Sequence, residues 1–251
     1  MNDYEFMSIK EMRKHNWCVN WSGGKDSTAT IIAMLKYNVP IKNVNYVRMM
    51  YDNEHPATLP EISDFVDNCI CRFKNQYGLK VNVVESEPFI NILKKKYKRC
   101  KHKEKNGTIH GFDCLCMFAC AFKPCKVKAA KSVQNEDDFE MIGYCIDEPK
   151  RYKRLNYPKQ ESILCTLDIT QDKAKHICKI NNMLAPTYTL GLGRDGCWFC
   201  PASNKANIAY IKEHHPRYVE LMYKSFSRRP EHLLYPNTNN WIKEYMWDKY
   251  M

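Results

Sequence analysis

The sequence predicts an α/β protein built on a parallel, twisted sheet with crossover helices. Short apolar segments that suit strands alternate with longer segments in which apolar residues recur every three or four positions, the spacing of a helix. This alternation is typical of a parallel sheet, because two parallel strands need a crossover connection between them. A turn that contains two glycines follows the first strand, at the edge of such a sheet where ligands usually bind.

The predicted elements follow one another in the order that this fold requires. A short polar helix lies within residues 1–15, and a buried strand that begins at Trp17 leads into the apolar helix Thr28–Leu35. The next strands and helices are a strand at Asn43–Met50, a helix at Glu61–Tyr77, a strand at Leu79–Val84, a helix opened by Pro88 and a strand at Glu140–Ile146. One apolar face of the helix at 61–77 is formed by Ile62, Phe65, Val66, Cys69, Ile70 and Phe73.

Two domains are predicted within the 251 residues, a length that suits one large domain and a small appendage. Residues 1–201 form the α/β domain and contain an insertion with a cysteine-metal site. Residues 202–251 are helical and rich in aromatic side chains from Lys205 onward. We expect them to form a C-terminal helical appendage that packs on the core.

Composition narrows the class of protein. The sequence has no run of about 20 apolar residues, the length that a membrane span needs. Its first residues lack the basic and apolar regions of a signal peptide. We therefore expect a cytoplasmic protein with no membrane partner. The net charge of +11 favours a polyanionic partner or a solvating surface.

Thirteen cysteines in such a protein indicate metal or redox chemistry more than disulfides. Two closely spaced groups stand out, one between Cys114 and Cys125 and the other Cys197-x-x-Cys200. Four thiolates from two such groups form a tetrahedral site that suits Zn²⁺ or an iron–sulfur cluster. Five other cysteines are predicted to be small buried residues, namely Cys18, Cys69, Cys71, Cys145 and Cys178.

The strongest motif is Ser22-Gly-Gly-Lys-Asp-Ser27, which we call the glycine turn. Gly23 and Gly24 let backbone N–H groups approach a phosphate closely, and the helix that follows adds N–H donors and the positive end of its dipole. Lys25 brings a positive charge to the same anion. A carboxylate at Asp26 favours a Mg²⁺ ion between it and the anion. The hydroxyls of Ser22 and Ser27 suit either the anion or a cap on the helix.

The glycine turn resembles the PP-loop of the ATP pyrophosphatases, a superfamily that splits ATP into AMP and pyrophosphate or binds adenylated sulfate. The resemblance implies an adenine nucleotide alpha hydrolase-like fold with ATP and Mg²⁺ as ligands. The residues that it places on the nucleotide are Ser22, Gly23, Gly24, Lys25, Asp26 and Ser27. It also implies catalytic roles for Lys25 and Asp26. Over residues 17–201 the chain looks like the phosphoadenylyl-sulfate (PAPS) reductase-like family of this superfamily.

The cysteines carry the second part of this resemblance. Cys125-Lys-Val-Lys-Ala-Ala, with Cys197-x-x-Cys200 downstream, is similar to the pattern with which adenylyl-sulfate reductases hold a [4Fe–4S] cluster. The implied ligands here are Cys120, Cys125, Cys197 and Cys200. The family has two adjacent cysteines, whereas Pro124 precedes Cys125 in this chain. The fourth ligand is therefore expected to be Cys120, with Cys116 and Cys114 as alternatives, and Zn²⁺ is the alternative to the cluster.

The segment Gly143-Tyr-Cys-Ile-Asp-Glu-Pro-Lys-Arg151 resembles a family segment that ends a strand and brings an arginine to the substrate anion. The resemblance implies a catalytic role for Arg151, whose guanidinium can hold a phosphate or sulfate through two hydrogen bonds. Asp147 and Glu148 suit the same anion site or, alternatively, a cap on the next helix.

The reaction expected from these motifs is ATP-dependent adenylation of an acceptor, followed by sulfur transfer to a nucleic acid or nucleobase. A reductase of the family needs a nucleophilic cysteine near its C-terminus, and the last cysteine of this sequence is Cys200. An adenylyl-sulfate or PAPS reductase is therefore the alternative. A non-enzymatic nucleic-acid-binding zinc protein is a further alternative, but it leaves the glycine turn without a role.

Two basic runs favour DNA or tRNA as a partner. Lys94–Lys105 contains eight Lys or Arg residues and one acidic residue, and Lys150–Arg154 contains four basic residues. A solvated basic surface without a partner is the alternative. A cysteine desulfurase or another sulfur donor is a further expected partner.

Overall fold

The protein forms a five-stranded sheet at the centre of an α/β fold. The computed structural model describes residues 6–94, 122–135, 137–192, 196–199 and 205–226. The strands are Trp17–Trp21 (β1), Ile41–Arg48 (β2), Val81–Glu85 (β3), Phe139–Met141 (β4) and Gln160–Glu161 (β5). They lie in the order β3-β2-β1-β4-β5, and all of them are parallel. The predicted α/β fold with a parallel sheet is thereby confirmed.

Ten α-helices occur within the described residues. In chain order they are Ile9–Met12 (α1), Lys25–Lys36 (α2), Pro60–Asn75 (α3), Phe89–Lys94 (α4), Lys128–Lys131 (α5), Pro149–Tyr152 (α6), Ile163–Thr166 (α7), Gln171–Ile180 (α8), Lys205–His214 (α9) and Pro216–Phe226 (α10). A π-helix at Phe122–Val127 precedes α5, and a 3-10 turn at Pro186–Tyr188 follows α8. The predicted helices at 28–35 and 61–77 match α2 and α3, and α9 and α10 confirm the helical character after Lys205.

The strand order creates a topological switch point between β1 and β4. From β1 the chain moves outward to β2 and β3, and it then returns to place β4 on the other side of β1. Val19 of β1 is accordingly paired with Val44 on one side and with Met141 on the other. Connections that leave β1 and β4 at their carboxyl ends diverge and open a crevice, which is the usual ligand site of an open α/β sheet.

One face of β1 is buried in the apolar core. Trp17, Val19 and Trp21 alternate along the strand and are almost fully buried. The Trp21 ring packs edge-on against Phe73 of α3, with 5.1 Å between the ring centroids. The predicted apolar face of α3 is confirmed by the burial of Ile62, Val66, Cys69, Ile70 and Phe73 and by the packing of partly buried Phe65 against the same core. Burial stabilises each large apolar side chain by about 1.5–3 kcal/mol relative to exposure.

The opposite face of the sheet carries a ladder of amide side chains, which the sequence analysis did not identify. The amide groups donate from Asn82 to Asn45 at 2.9 Å, from Asn45 to Asn20 at 3.4 Å and from Asn20 to the Glu140 carboxylate at 3.1 Å. The Gln134 and Gln160 amides also donate to Glu140. Asn45 is buried, and the other members of the ladder are half-buried. Because each of these polar groups has a hydrogen-bond partner, the ladder can be partly removed from solvent without a large desolvation penalty.

The strand predicted at Glu140–Ile146 is shorter than expected, because β4 ends at Met141. The backbone beyond it turns away from the sheet. The Tyr144 carbonyl accepts hydrogen bonds from the Ser162 hydroxyl at 2.7 Å and from the Cys165 thiol at 3.3 Å, instead of from a neighbouring strand. Apolar residues over 144–146 therefore form a loop at the switch point.

Four of the five cysteines predicted to be buried are buried, namely Cys18, Cys69, Cys145 and Cys178. Burial raises the pKa of Cys18, Cys69 and Cys178 to about 12. The prediction for Cys71 is wrong, because this residue is exposed. Cys71 follows Ile70 on α3 and is rotated by about 100° from it, away from the core-facing side of the helix.

The chain divides into two compact units. The first comprises Met1–Val47, Glu61–Val84 and Ala130–Pro186, and it holds the apolar core and the glycine turn. The second comprises Arg48–Pro60, Glu85–Ala129 and Thr187–Met251. Its described residues form an aromatic core of Tyr51, Phe89, Trp198, Phe199 and Tyr218. The predicted domain boundary between residues 201 and 202 stays a prediction.

Over the ranges that the structure describes, none of the helices combines the length and hydrophobicity that crossing a bilayer requires.

Candidate functional site

The glycine turn connects the carboxyl end of β1 to the N-terminus of α2. Gly23 has a φ of +82°, which residues with a Cβ rarely adopt, and a Cβ at this position would also lie 3.1 Å from a methyl group of Val66. Gly24 is the N-cap residue of α2. Because glycine has no side chain, it supplies no acceptor to the N–H groups of the first helical turn. An anion can therefore take that place.

The two serines of the turn stabilise it internally. The Ser22 and Ser27 hydroxyls are 3.0 Å apart, and the Ser27 hydroxyl donates to the Gly24 carbonyl at 3.1 Å. The Ser22 hydroxyl accepts from the Gly24 N–H at 3.3 Å. The alternative in which Ser22 or Ser27 caps α2 is wrong, because Gly24 occupies the N-cap position. Thr28 fixes the helix to the strand, since its hydroxyl accepts from the Trp21 indole at 2.9 Å.

Lys25 and Asp26 form an ion pair at the start of α2. The Lys25 Nζ lies 2.6 Å from Asp26 Oδ1 and donates to the Gln171 side chain of α8 at 3.3 Å. Both side chains are mostly buried, with exposed fractions of 14% for Lys25 and 23% for Asp26. Lys25, which is predicted to bind phosphate, is thus held beside the turn by a carboxylate and an amide oxygen.

A second loop, residues 142–148 after β4, meets the glycine turn at the switch point. The backbone of Gly143 lies against α2, and a Cβ on it would be 2.8 Å from the Ser27 nitrogen and 2.9 Å from the Asp26 carbonyl carbon. The Cys145 thiol donates to Asp26 Oδ1 at 3.3 Å. The Cys145 N–H donates to Glu148 Oε2 at 3.2 Å. The loop thereby brings the Glu148 carboxylate towards that of Asp26.

These contacts form a candidate cation site. One ligand atom from each of Asp26, Cys145 and Glu148 lies within 4.8 Å of the other two. Burial, followed by the Asp26 charge, raises the pKa of the Cys145 thiol. Sulfur is a soft donor and suits Mg²⁺ less well than oxygen does. The donor set that remains is a pair of carboxylate oxygens, and carboxylate oxygens are the ligands that Mg²⁺ prefers. The residues present therefore fit a hard divalent cation.

Arg151 forms an ion pair with Glu148. Its Nη1 donates to Glu148 Oε1 at 2.7 Å, and its guanidinium carbon lies 4.4 Å from the centroid of the Tyr144 ring. Burial alone would lower the pKa of Arg151, but the hydrogen bond and charge of Glu148 outweigh it and raise that pKa. Asp147 instead accepts a hydrogen bond from the Gln171 N–H at 3.1 Å, which caps α8. Asp147 thus contacts α8 and not the next helix, α6, whose N-cap residue is Glu148 and whose cap lacks a side-chain hydrogen bond.

The predicted metal centre is described only in part. Cys125 is buried and Cys197 is half-buried, whereas Cys120, Cys200 and the alternatives Cys116 and Cys114 lie outside the described residues. Burial lowers the pKa of Lys126, and the Cys197 charge opposes this shift. Cys197 therefore lies near enough to the residue after Cys125 to interact with it electrostatically. The four-cysteine set itself stays a prediction.

The two residues between Cys197 and Cys200 anchor that turn in the second unit. Trp198 donates from its backbone N–H to the Ala57 carbonyl at 2.9 Å and from its indole to the Pro56 carbonyl at 2.8 Å. Its ring stacks on Tyr218 with 4.6 Å between centroids. The Phe199 ring stacks on Phe89 at 4.5 Å. These contacts fix Trp198 and Phe199 among the aromatic side chains of the second unit.

Sequence reasoning missed several residues of the site. The sequence does not show that Gly143 contacts the glycine turn, that the buried Cys145 lies beside Asp26, or that Gln171 accepts a hydrogen bond from Lys25. The missing information is the pairing of β1 with β4, which places residues more than 100 positions apart side by side. A glycine in the interior of a predicted strand, as Gly143 is here, is a signal that could have indicated the close approach.

We predict that Gly143→Ala destabilises the protein and weakens nucleotide binding together. The added Cβ would contact backbone atoms of Asp26 and Ser27 that cannot rotate away. Overpacking of this kind costs about 1–3 kcal/mol. Urea unfolding gives the stability, and calorimetry with Mg²⁺ and ATP gives the affinity.

Gly78→Ala is the matched control for this prediction. Gly78 has a φ of +64°, but a Cβ there meets no atom within 4 Å. Its substitution should cost about 1–2 kcal/mol of backbone strain and leave the ATP affinity unchanged. Wild-type stability and affinity in Gly143→Ala would show that β4 and the glycine turn are not in close contact.

Comparison with known proteins does not assign the chain to a family. No protein-family model matches the chain, and no curated protein matches it. One similar solved structure is that of the U34-tRNA thiolase NcsA from Methanococcus maripaludis with its [4Fe-4S] cluster. The alignment covers 86% of this chain and 76% of that chain, with 15% identity and a TM-score of 0.40. At this TM-score the likeness carries no argument about the present chain.

Proposed function

We propose that this chain is a PP-loop enzyme of the PAPS reductase-like kind, which uses Mg²⁺ and ATP to adenylate an acceptor. The observation that carries the proposal is the glycine turn at the switch point. A glycine N-cap, a left-handed Gly23 and a mostly buried Lys25 stand together at the start of a twelve-residue helix. This combination suits a polyphosphate, because it offers N–H donors, a helix dipole and a positive charge to one anion.

Each site residue then has a defined task. Lys25 and the N–H groups of the first turn of α2 bind the pyrophosphate part of ATP and stabilise the charge that develops on it. Asp26 and Glu148 would hold Mg²⁺, which when bound neutralises charge on the phosphates. Arg151 is within reach of the same crevice through its contact with Glu148. Its forked guanidinium suits the phosphate that is transferred.

The proposed reaction has two steps. An oxygen of the acceptor attacks the α-phosphorus of ATP, the bond from that phosphorus to the bridging oxygen breaks, and pyrophosphate leaves. This gives an acceptor that carries AMP. A sulfur nucleophile then attacks the acceptor carbon, the carbon–oxygen bond breaks, and AMP leaves with that oxygen. The sulfur comes from a donor such as a cysteine desulfurase, whose persulfide attacks through its outer sulfur. A thiol then attacks the inner sulfur, so the S–S bond breaks, a disulfide forms and the sulfur stays on the acceptor.

A metal centre at Cys120, Cys125, Cys197 and Cys200 belongs to the same proposal. The Cys197 turn is fixed by Trp198 and Phe199, and Cys197 is close to the segment that contains Cys125. A [4Fe–4S] cluster, or Zn²⁺ as the alternative, would cross-link the two cysteine segments of the second unit.

A nucleic acid is the acceptor that the surface charge favours. Lys150, Arg151, Lys153 and Arg154, which we call the basic strip, are all exposed and begin directly after the loop that carries Glu148. No acidic residue occurs between Pro149 and Gln160. Lys94–Lys105, the other basic run of the sequence, lies almost entirely outside the described residues. An exposed strip of positive charge beside a phosphate-binding crevice suits a nucleic-acid backbone.

We predict that a Lys153→Ala/Arg154→Ala double variant binds total tRNA more weakly than the wild type does. Each contact with a single-stranded phosphate contributes about 0.7 to the slope of log affinity against log salt, so loss of two contacts should reduce that slope by about 1.4. Fluorescence anisotropy at low and moderate salt measures the affinity and the slope.

A Lys74→Ala/Lys179→Ala double variant is the control, because it removes the same charge from exposed positions on α3 and α8. It should keep the wild-type slope. Equal losses in both double variants would mean that net charge alone drives binding. No binding of tRNA or duplex DNA by the wild type at low salt would reduce the basic strip to a solvating surface.

The proposed function is tested by the products formed from ATP labelled at its α-phosphate. Incubation with Mg²⁺ and total tRNA should give labelled AMP or a labelled adenylated product together with pyrophosphate, and Lys25→Ala should abolish both. Labelled ADP as the product would place the attack at the γ-phosphorus and overturn the proposal.

A further inference from the structure

Four charged side chains form a row across the switch point. Lys25 pairs with Asp26 at 2.6 Å, and Arg151 pairs with Glu148 at 2.7 Å. The ligand atoms of the two carboxylates lie within 4.8 Å of one another at the centre of the row. Lys25 and Arg151, the two basic side chains that the proposed function assigns to phosphate, are therefore each paired with a carboxylate of the same site.

We propose that Glu148 is a positioning residue that holds Arg151 away from the nucleotide until a divalent cation binds. The Asp26 and Glu148 oxygens would hold the cation, and Lys25 and Arg151, freed from these carboxylates, would turn to the phosphates. Metal and nucleotide are thus coupled through an exchange of ion pairs within the protein. This inference rests on the proposed function, because it concerns the same nucleotide site.

The geometry around Glu148 supports an exchange. Its Oε1 accepts from Arg151, whereas its Oε2 accepts from the Cys145 N–H at 3.2 Å. Loss of the Arg151 bond therefore leaves the carboxylate fixed beside Asp26. The Arg151 side chain is 53% exposed. An ion pair with so exposed a partner is weak, so a doubly charged ion can displace it readily.

Tyr144 supplies the pivot. The Arg151 guanidinium lies 4.4 Å from the centroid of its ring, and this cation–π contact does not depend on Glu148. After release, the ring keeps the guanidinium near the crevice while its N–H groups reorient. If the ion pair between Arg151 and Glu148 only stabilised the fold, its loss would weaken both the fold and ATP binding.

The test is ATP affinity by calorimetry, measured once with EDTA and once with excess Mg²⁺. Glu148→Gln removes the charge that holds Arg151, so its affinity in EDTA should rise by about two- to five-fold, the value of an exposed ion pair. The gain in affinity that Mg²⁺ gives should fall, because a ligand is lost. In an Arg151→Gln background the rise in EDTA should disappear.

Asp147→Asn is the matched control, since it removes the same charge from the neighbouring residue that caps α8. It should leave the affinity in EDTA unchanged. An equal rise in Asp147→Asn, or no rise in Glu148→Gln, would overturn the inference while ATP binding by the wild type still supports the proposed function. Failure of the wild type to bind ATP under both conditions would overturn both.

Arg151→Gln keeps the inference testable if Glu148→Gln does not fold. Because Arg151 is held by Glu148 without the metal, its loss should reduce ATP affinity in Mg²⁺ and leave the affinity in EDTA unchanged. An equal reduction under the two conditions would show that Arg151 contacts the nucleotide without any exchange of partners.

Discussion

Replacement of Lys25 by alanine is expected to weaken ATP binding by about 100-fold while the protein stays folded. The Lys25 ammonium is mostly buried at the start of α2, beside the N–H groups that face the proposed triphosphate. A charged hydrogen bond in such a place contributes about 1.5–3 kcal/mol, and about 2.7 kcal/mol corresponds to a factor of 100. Calorimetry with Mg²⁺ and ATP measures the affinity, and thermal unfolding reports the fold.

Lys36→Ala is the control for this variant. Lys36 is exposed in the last turn of the same helix, so its loss changes the charge of the protein without reaching the glycine turn. Wild-type affinity is expected there. If Lys25→Ala binds ATP as tightly as Lys36→Ala does, the triphosphate does not lie on the glycine turn.

Cys197→Ser is expected to lose the metal and much of the stability of the second unit. A structural metal contributes strongly to folding because its ligands are assembled only in the folded state. The contacts of Trp198 keep the turn near the Pro56 and Ala57 carbonyls, but they do not replace the cross-link to the Cys125 segment. Iron, sulfide and zinc per chain, measured after anaerobic purification, should all fall to background in this variant.

Cys71→Ser provides the comparison. Cys71 is exposed on α3 and is not a predicted ligand, so its replacement should leave the metal content unchanged. A full metal content in Cys197→Ser would exclude Cys197 from the centre. The ratio of iron to sulfide in the wild type also separates a [4Fe–4S] cluster from Zn²⁺.

Local sequence pattern was enough to predict much of the fold. The strand from Trp17, the glycine turn and the helix after it are correct because strand alternation, glycine geometry and helical spacing are local properties. The same holds for α3, whose apolar face repeats every three to four residues. Residue type alone does not predict burial, as Cys71 shows. Cysteine is often buried, but Cys71 lies one position from the apolar face of α3 and is exposed.

The sequence alone predicts only part of the candidate site. Residues 22–27 are contiguous and form one motif, whereas Cys145, Glu148 and Arg151 reach Asp26 through the pairing of β4 with β1. That pairing depends on strand order, which is a tertiary property. The segment over 144–146 is apolar enough for a strand, yet Gly143 packs against α2 and the chain turns there.

The triphosphate of ATP is expected to lie on the glycine turn. This position can be seen in a crystal structure with Mg²⁺ and α,β-methylene-ATP, an analogue that resists cleavage at the α-phosphorus. We expect phosphate oxygens at hydrogen-bond distance, about 2.7–3.2 Å, from the N–H groups of the first turn of α2 and from Lys25 Nζ, with Mg²⁺ on Asp26. An analogue bound elsewhere on the protein, with no phosphate at the glycine turn, would contradict the claim.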